Sequence, residues 1–130
     1  MSTKNLLVVD DSATTRMLIS LTLKKSPKYR IVEASNGAEA VEKMSSQDID
    51  IVLTDINMPK MGGLELIAHI RKSKSNQRVP IVVITTEGEE EARDRGLELG
   101  ADAYLSKPIS GAALQDTVKK LLEGVGAAAR

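Results

Sequence analysis

Three apolar runs with almost no alternation decide the fold class of this chain: residues 6–9, 49–53 and 81–84, the second broken only by Asp50. A strand covered on one face alternates apolar with polar residues. A strand that is apolar throughout needs cover on both faces, the condition of a parallel sheet held between helices. Residues 30–34 and 103–105 are weaker strand candidates, suited to the edges of that sheet.

Helical spacing fills the intervals. Ser12 is placed to cap a helix carrying Ala13, Met17, Leu18 and Leu21 on one face and stopped near Pro27. Residues 38–44 offer Val41 and Met44, residues 63–73 offer Leu66, Ile67 and Ile70, and residues 89–99 offer Ala92 and Leu97. Ser110 caps a last helix with Leu114, Val118, Leu121 and Leu122 inward. Asn36-Gly37 alone reads as a hairpin, but the helical period that follows makes it a strand-to-helix turn. Five strands and five helices in strict alternation predict an α/β fold, doubly wound around a parallel sheet. A single domain over residues 1–126 with a short C-terminal tail, 127–130, accounts for all 130 residues.

Composition narrows the function classes. Eighteen basic and 18 acidic residues leave no net charge, so no long-range field draws the chain to nucleic acid or to a membrane surface. Tyr29 and Tyr104 are the only aromatics, which removes base stacking as a binding mode. With no cysteine there is no disulfide and no thiolate metal site. Residues 1–5 lack the apolar stretch of a secretory signal, and no apolar run approaches the roughly 20 residues needed to span a bilayer. A cytoplasmic location is the expectation.

Polar residues then stand where the strands run out: Asp10 and Asp11 after Val9, Asp55 after Thr54, Thr85 after Ile84, and Lys107 after Ser106. In an open parallel sheet, ligands bind beyond the carboxyl ends of the strands. Consecutive acids at the end of a buried strand need a positive partner. Mg²⁺ fits, because it takes hard oxygen ligands and is often held by only one or two carboxylates. Asp11 and Asp55 would be direct ligands, Asp10 would act through water or by orientation, and the loop carbonyl of Asn57 could complete the set. A carboxylate can also attack phosphorus, and Asp55, which opens the loop Ile56-Asn57-Met58-Pro59-Lys60-Met61-Gly62-Gly63, is the candidate nucleophile. Lys107 would offset the charge of a phosphoryl group. Each piece has a plainer reading: Asp-Asp caps helices, a lone Asp starts turns and Lys-Pro is common in loops. Only the joint placement favours chemistry.

These residues resemble the receiver domain of two-component response regulators, nearest in size to the single-domain chemotaxis type. The matching stretches are Val8-Val9-Asp10-Asp11-Ser12, Leu53-Thr54-Asp55-Ile56-Asn57-Met58-Pro59-Lys60-Met61-Gly62-Gly63, Ile84-Thr85-Thr86, Gly100-Ala101-Asp102-Ala103-Tyr104 and Leu105-Ser106-Lys107-Pro108. The resemblance implies a flavodoxin-like sheet in the order 2-1-3-4-5; the family supplies that order, which the apolar pattern alone does not choose. It implies that Asp55 accepts phosphate from a sensor histidine kinase or phosphotransfer protein, with Mg²⁺ on Asp10, Asp11, Asp55 and the Asn57 carbonyl. Lys107 would contact the acyl phosphate, before a cis bond to Pro108. Thr85 would follow the phosphoryl oxygen and draw Tyr104 inward, altering the surface of helix 4, strand 5 and helix 5 for a downstream protein. Asn57 and Glu87 would tune loss of the phosphate. The implied protein is a switch that assists its own phosphorylation and dephosphorylation rather than an enzyme, and a monomer that could pair when active.

The output face implied in this way, with Glu89, Glu90, Arg93, Leu97, Tyr104 and Ser106, lacks the basic character expected of a flagellar-switch binder. Thr86 follows Thr85 where a smaller Ala is common in the family. Rival readings fit less well. An aspartyl-nucleophile phosphatase resembles Asp-x-Asp, whereas this chain has Asp55-Ile56-Asn57. A flavin or nucleotide binder would need a glycine-rich turn after the first strand, and a scaffold that has lost phosphorylation would not keep every acid. His69 reads as a solvated helix residue.

Overall fold

In the computed structural model the described residues are 3–86 and 88–124. Their order is β1 (Lys4–Val9), α1 (Ala13–Leu23), β2 (Tyr29–Ala34), α2 (Gly37–Ser46), β3 (Ile51–Asp55), α3 (Gly63–Lys72), β4 (Ile81–Thr85), α4 (Glu90–Leu99), β5 (Ala103–Ser106) and α5 (Gly111–Leu122). All pairs are parallel, and the strands lie side by side as β2-β1-β3-β4-β5. The two weak strands are the edges, as their composition predicts.

The apolar runs are explained by the two layers. Leu7, Val9, Val52 and Val83 point to one face, under α2, α3 and α4, through Met44, Leu66, Ile67 and Ile70. Leu6, Val8, Leu53 and Val82 point to the other, under α1 and α5, through Ile19, Leu23, Leu114 and Val118. Alternate side chains therefore all find apolar partners. Asp50 does not interrupt β3. It lies at the strand's entry, where its carboxylate accepts the Asn5 N–H at 2.7 Å.

The helix starts follow the side-chain chemistry. Ser12, Asn36 and Ser110 cap α1, α2 and α5 by accepting from Thr15, Glu39 and Ala113 N–H. Glu39 reaches back to take the Ser35 N–H at 2.7 Å, so Asn36-Gly37 is a helix start and no hairpin.

The inward face of α1 is a correction. Met17, Leu18 and Leu21 are more than half exposed, Ala13 is exposed too, and Ile19, Ser20 and Leu23 are buried instead. Arg16 sets this rotation: its guanidinium donates to the Asp10 carbonyl and to Glu33, so the series Arg16, Ile19, Ser20, Leu23 faces the sheet. Ser20 Oγ is buried with no hydrogen-bond partner among the described residues. Ser20→Ala removes an unpaired polar atom and adds helix propensity. It is expected to stabilise the fold by about 1 kcal/mol, read as a higher urea midpoint at constant m.

On α4 Gly96 is buried and the half-buried Ala92 and Leu99 pack on the core, whereas Leu97, equally half-buried, joins neither core cluster. A Cβ at Gly96 would meet Val83 Cγ2 at 3.2 Å, so this helix lies close on the sheet. Arg71, near the end of α3, donates to the carbonyls of Gly100 and Val79 and to Asp102, tying α3 to the segment that enters β5.

Candidate functional site

Register brings the polar residues together. Val9 of β1 pairs with Thr54, so Asp10 comes level with Asp55 at the end of β3. Asp55 pairs with Ile84, and Thr85 with Ser106, which leaves Thr85 and Lys107 one step further along their own strands. Thr85 is buried, and its carbonyl accepts the Lys107 N–H at 2.7 Å.

Asp10, Asp11 and Asp55 each present a carboxylate oxygen within 4.8 Å of the others. Asp10 is buried and fully engaged: Oδ1 accepts the Ser12 N–H at 2.8 Å and Oδ2 the Lys107 ammonium at 3.1 Å. Lys107 Nζ lies 3.7 Å from Asp55 Oδ1, which also takes the Ile56 N–H at 2.9 Å. Asp11 is exposed at the rim.

The electrostatics are those of a site short of positive charge. Burial pushes the Asp55 carboxyl up to about 6, Asp10 and Glu89 add to the push, and Lys107 and the Ile56 N–H only partly oppose it. At Lys107 burial acts to lower the ammonium's pKa. The hydrogen bond to Asp10 and the charges of Asp55, Asp10 and Glu89 outweigh it, and the net shift is upward. Three hard oxygen donors around one ammonium match a small divalent cation such as Mg²⁺, whose charge would favour the ionised form of Asp55.

The loop after Asp55 is held tightly. Gly63 N–H donates to the Ile56 carbonyl at 2.7 Å, and Lys60 adopts a left-handed φ of 66°. A Cβ on Gly63 would lie 2.2 Å from the Asp55 carbonyl oxygen. The paired glycines thus serve close approach between α3 and the strand end. The Lys107–Pro108 peptide is cis, as the resemblance implies.

Asn57 is exposed, and its side-chain amide donates to Glu89. Glu89, assigned to the output surface from its position in the sequence, turns back toward the acids; its other carboxylate oxygen takes the Thr86 N–H at 2.7 Å. The spacing Thr86-x-x-Glu89 is that of a capping box and signals the contact with Thr86; no sequence pattern marks the contact with Asn57. Tyr104 is 43% exposed on β5, with the Arg93 guanidinium 4.6 Å from its ring centroid. Glu87 lies outside the described residues. His69 is exposed on α3. No helix among the described residues is long and apolar enough to cross a membrane.

Comparison with known proteins follows the same lines. Residues 6–119 match the response regulator receiver domain family. The chain is 37% identical over 127 residues to a chemotaxis protein CheY homolog of Campylobacter jejuni, covering 95% of this chain and 98% of that one. It is 37% identical over 118 residues to chemotaxis protein CheY1 of Helicobacter pylori, covering 90% and 95%. Among solved structures it is similar to the chemotaxis response regulator CheY4 of Vibrio cholerae, with a TM-score of 0.83 at 32% identity over 92% of this chain and 98% of that one. A CheY-like receiver domain protein from Methanospirillum hungatei gives 0.84 at 27% identity, covering 94% and 95%.

Proposed function

Because this chain belongs to the response regulator receiver domain family, we propose that it is a stand-alone signalling switch that takes a phosphoryl group on Asp55 from a histidine kinase or phosphotransfer protein. The observation that carries this reading is the meeting of three carboxylates and the Lys107 ammonium beyond the carboxyl ends of β1, β3 and β5. In the transfer, an Asp55 carboxylate oxygen attacks phosphorus, the donor's P–N bond breaks, and the imidazole leaves. The product is an aspartyl phosphate, which water later cleaves to aspartate and inorganic phosphate.

Asp10, Asp11, Asp55 and the Asn57 carbonyl would hold Mg²⁺, which supplies charge neutralisation for the incoming oxygens. Lys107 spans Asp10 and Asp55 and is positioned to follow the negative charge as it moves onto the phosphoryl group. Asp10, fixed by Ser12 and Lys107, orients the cluster. Thr85 supplies the hydroxyl that reaches the new oxygens, and Asn57 and Glu87 tune phosphate loss. The test is mass spectrometry after incubation with acetyl phosphate and Mg²⁺. One added phosphate, mapped to Asp55, supports the reading; an unmodified protein overturns it.

Output would pass through α4, β5 and α5. With Tyr104 outward, stacking by Arg93 stabilises the resting surface by roughly 0.5–1 kcal/mol, the range for an exposed cation–π pair. Arg93→Leu is therefore expected to tighten binding of beryllofluoride, a phosphoryl mimic, by about two- to fivefold in a titration at fixed Mg²⁺. Unchanged affinity would remove Arg93 from the switch. The mixed-charge, slightly acidic character of this face favours a protein partner other than one that selects basic surfaces.

A further inference from the structure

Glu89 makes two contacts that bridge separate loops at the mouth of the site. One oxygen accepts the Thr86 backbone N–H at 2.7 Å, immediately after the buried Thr85. The other accepts the side-chain amide of Asn57, two residues beyond Asp55. The β4–α4 segment is thereby clipped to the β3–α3 loop through one half-buried carboxylate. As the residue before α4, Glu89 makes no side-chain cap bond to the helix that follows.

We propose that Glu89 is a positioning residue for phosphoryl acceptance, a carboxylate latch that holds the Thr85–Thr86 segment in its resting place while Asp55 is unmodified and is displaced by charge once Asp55 carries a phosphoryl group. This rests on Asp55 being the acceptor. Glu89 already acts on both Asp55 and Lys107 through space, its charge raising the pKa of each. A phosphoryl group adds about −1.5 to −2 charge in the same place, together with three acceptor oxygens. Glu89 and the phosphoryl oxygens then compete for the same donors, and like charges repel. Release of Glu89 frees the Thr86 N–H and the Asn57 amide, and the segment that carries the Thr85 hydroxyl is no longer tethered. The resting latch thus opposes the active arrangement, and its removal should raise the fraction of protein ready to accept the phosphoryl group.

The test is a beryllofluoride titration with Mg²⁺ on wild type, Glu89→Ala and Glu89→Gln, followed by ¹H–¹⁵N NMR of the Thr86 backbone amide and the Asn57 side-chain amide. Glu89→Ala is expected to bind about tenfold tighter, the ratio for one charge-assisted hydrogen bond that no longer opposes the bound state. Glu89→Gln keeps the shape without the charge and should also bind more tightly, by a smaller factor. In wild type, both amide signals should move on beryllofluoride binding toward their positions in unliganded Glu89→Ala. If wild type binds the mimic while both variants bind within twofold of it or more weakly, or if the Thr86 amide is the same in unliganded wild type and Glu89→Ala, the latch is overturned and the acceptor reading stands. If wild type takes up neither beryllofluoride nor phosphate, the acceptor reading fails and the latch fails with it.

Discussion

Asp55→Asn is expected to give a folded protein that gains no phosphoryl group from acetyl phosphate and Mg²⁺ under conditions where the wild type gains one. The amide keeps the shape of the side chain, and its oxygen can still accept the Ile56 N–H. It lacks the anionic oxygen that attacks phosphorus, so the loss should be complete rather than partial. The same substitution has a thermodynamic signature that a solvent-exposed carboxylate would not give. The fold raises the Asp55 carboxyl from 3.8 to about 6, chiefly through burial and then through Asp10. A raised carboxyl pKa means that the folded state favours the protonated form. Its contribution to stability is complete below the unfolded value of 3.8 and is lost as pH climbs to about 6.

Above that window the wild type carries an ionised Asp55 that the fold disfavours, and the amide carries no such cost. In EDTA, Asp55→Asn should be more stable than wild type by about 2 kcal/mol at pH ~7.5, a figure discounted because the mouth of the site admits water. The gap should close by pH ~4 and shrink when Mg²⁺, which favours the ionised form, is added to the wild type. Urea midpoints of the two proteins across that pH range measure it. A phosphorylated Asn variant, or a stability gap independent of pH, would remove Asp55 from the centre of this site.

The sheet is legible because its physics is one-dimensional. Leu6-Leu7-Val8-Val9 is apolar at every position since alternate side chains enter opposite layers, and that fact is written in the sequence without knowledge of which helix covers which face. Once strand ends are located, parallel register brings Asp10, Asp55, Thr85 and Lys107 together at the carboxyl ends of the strands. The strand order itself comes from family resemblance, because alternation alone does not choose among permutations.

What stays illegible depends on side chains that select between two acceptable arrangements. In α1 the series Ala13, Met17, Leu21 is as helical as Ile19, Leu23, and apolarity alone favours the wrong one. The contact of Arg16 with the Asp10 carbonyl, a tertiary interaction, settles the rotation. It leaves Met17, Leu18 and Leu21 on the surface. Glu89 and Arg93 read as ordinary helix-surface charges for the same reason. Thr86 is three residues from Glu89 in the same connection, but Asn57 and Tyr104 belong to another loop and a strand, and no local period announces them.

Gly63→Ala is expected to be among the most damaging single-methyl changes in the chain, although Ala is the better helix former by about 1 kcal/mol. Gly63 is the first residue of α3, and its own N–H is bound to the Ile56 carbonyl. The added Cβ would lie 2.2 Å from the Asp55 carbonyl oxygen and 2.9 Å from Ile56 Cα. Both are backbone atoms at the end of a strand paired on each side with β1 and β4, so no flexible side chain can swing away. Either α3 lifts off its layer, exposing part of the contact made by Leu66 and Ile67, or the end of β3 bends and carries Asp55 with it. Overpacking of this kind costs about 3 kcal/mol, near the upper end for an inserted methyl group. For a domain of this size that lowers the melting temperature by about 10 °C or more. Gly111→Ala provides the contrast within the same protein. It is also the first residue of a helix, its added Cβ meets only Thr22 Cγ2 at an ordinary 3.5 Å, and it should be neutral or stabilising by up to about 1 kcal/mol. Thermal melts of the two variants side by side separate close approach from helix propensity. If Gly63→Ala melted with Gly111→Ala, the tight junction between β3 and α3 that fixes Asp55 would not exist in solution.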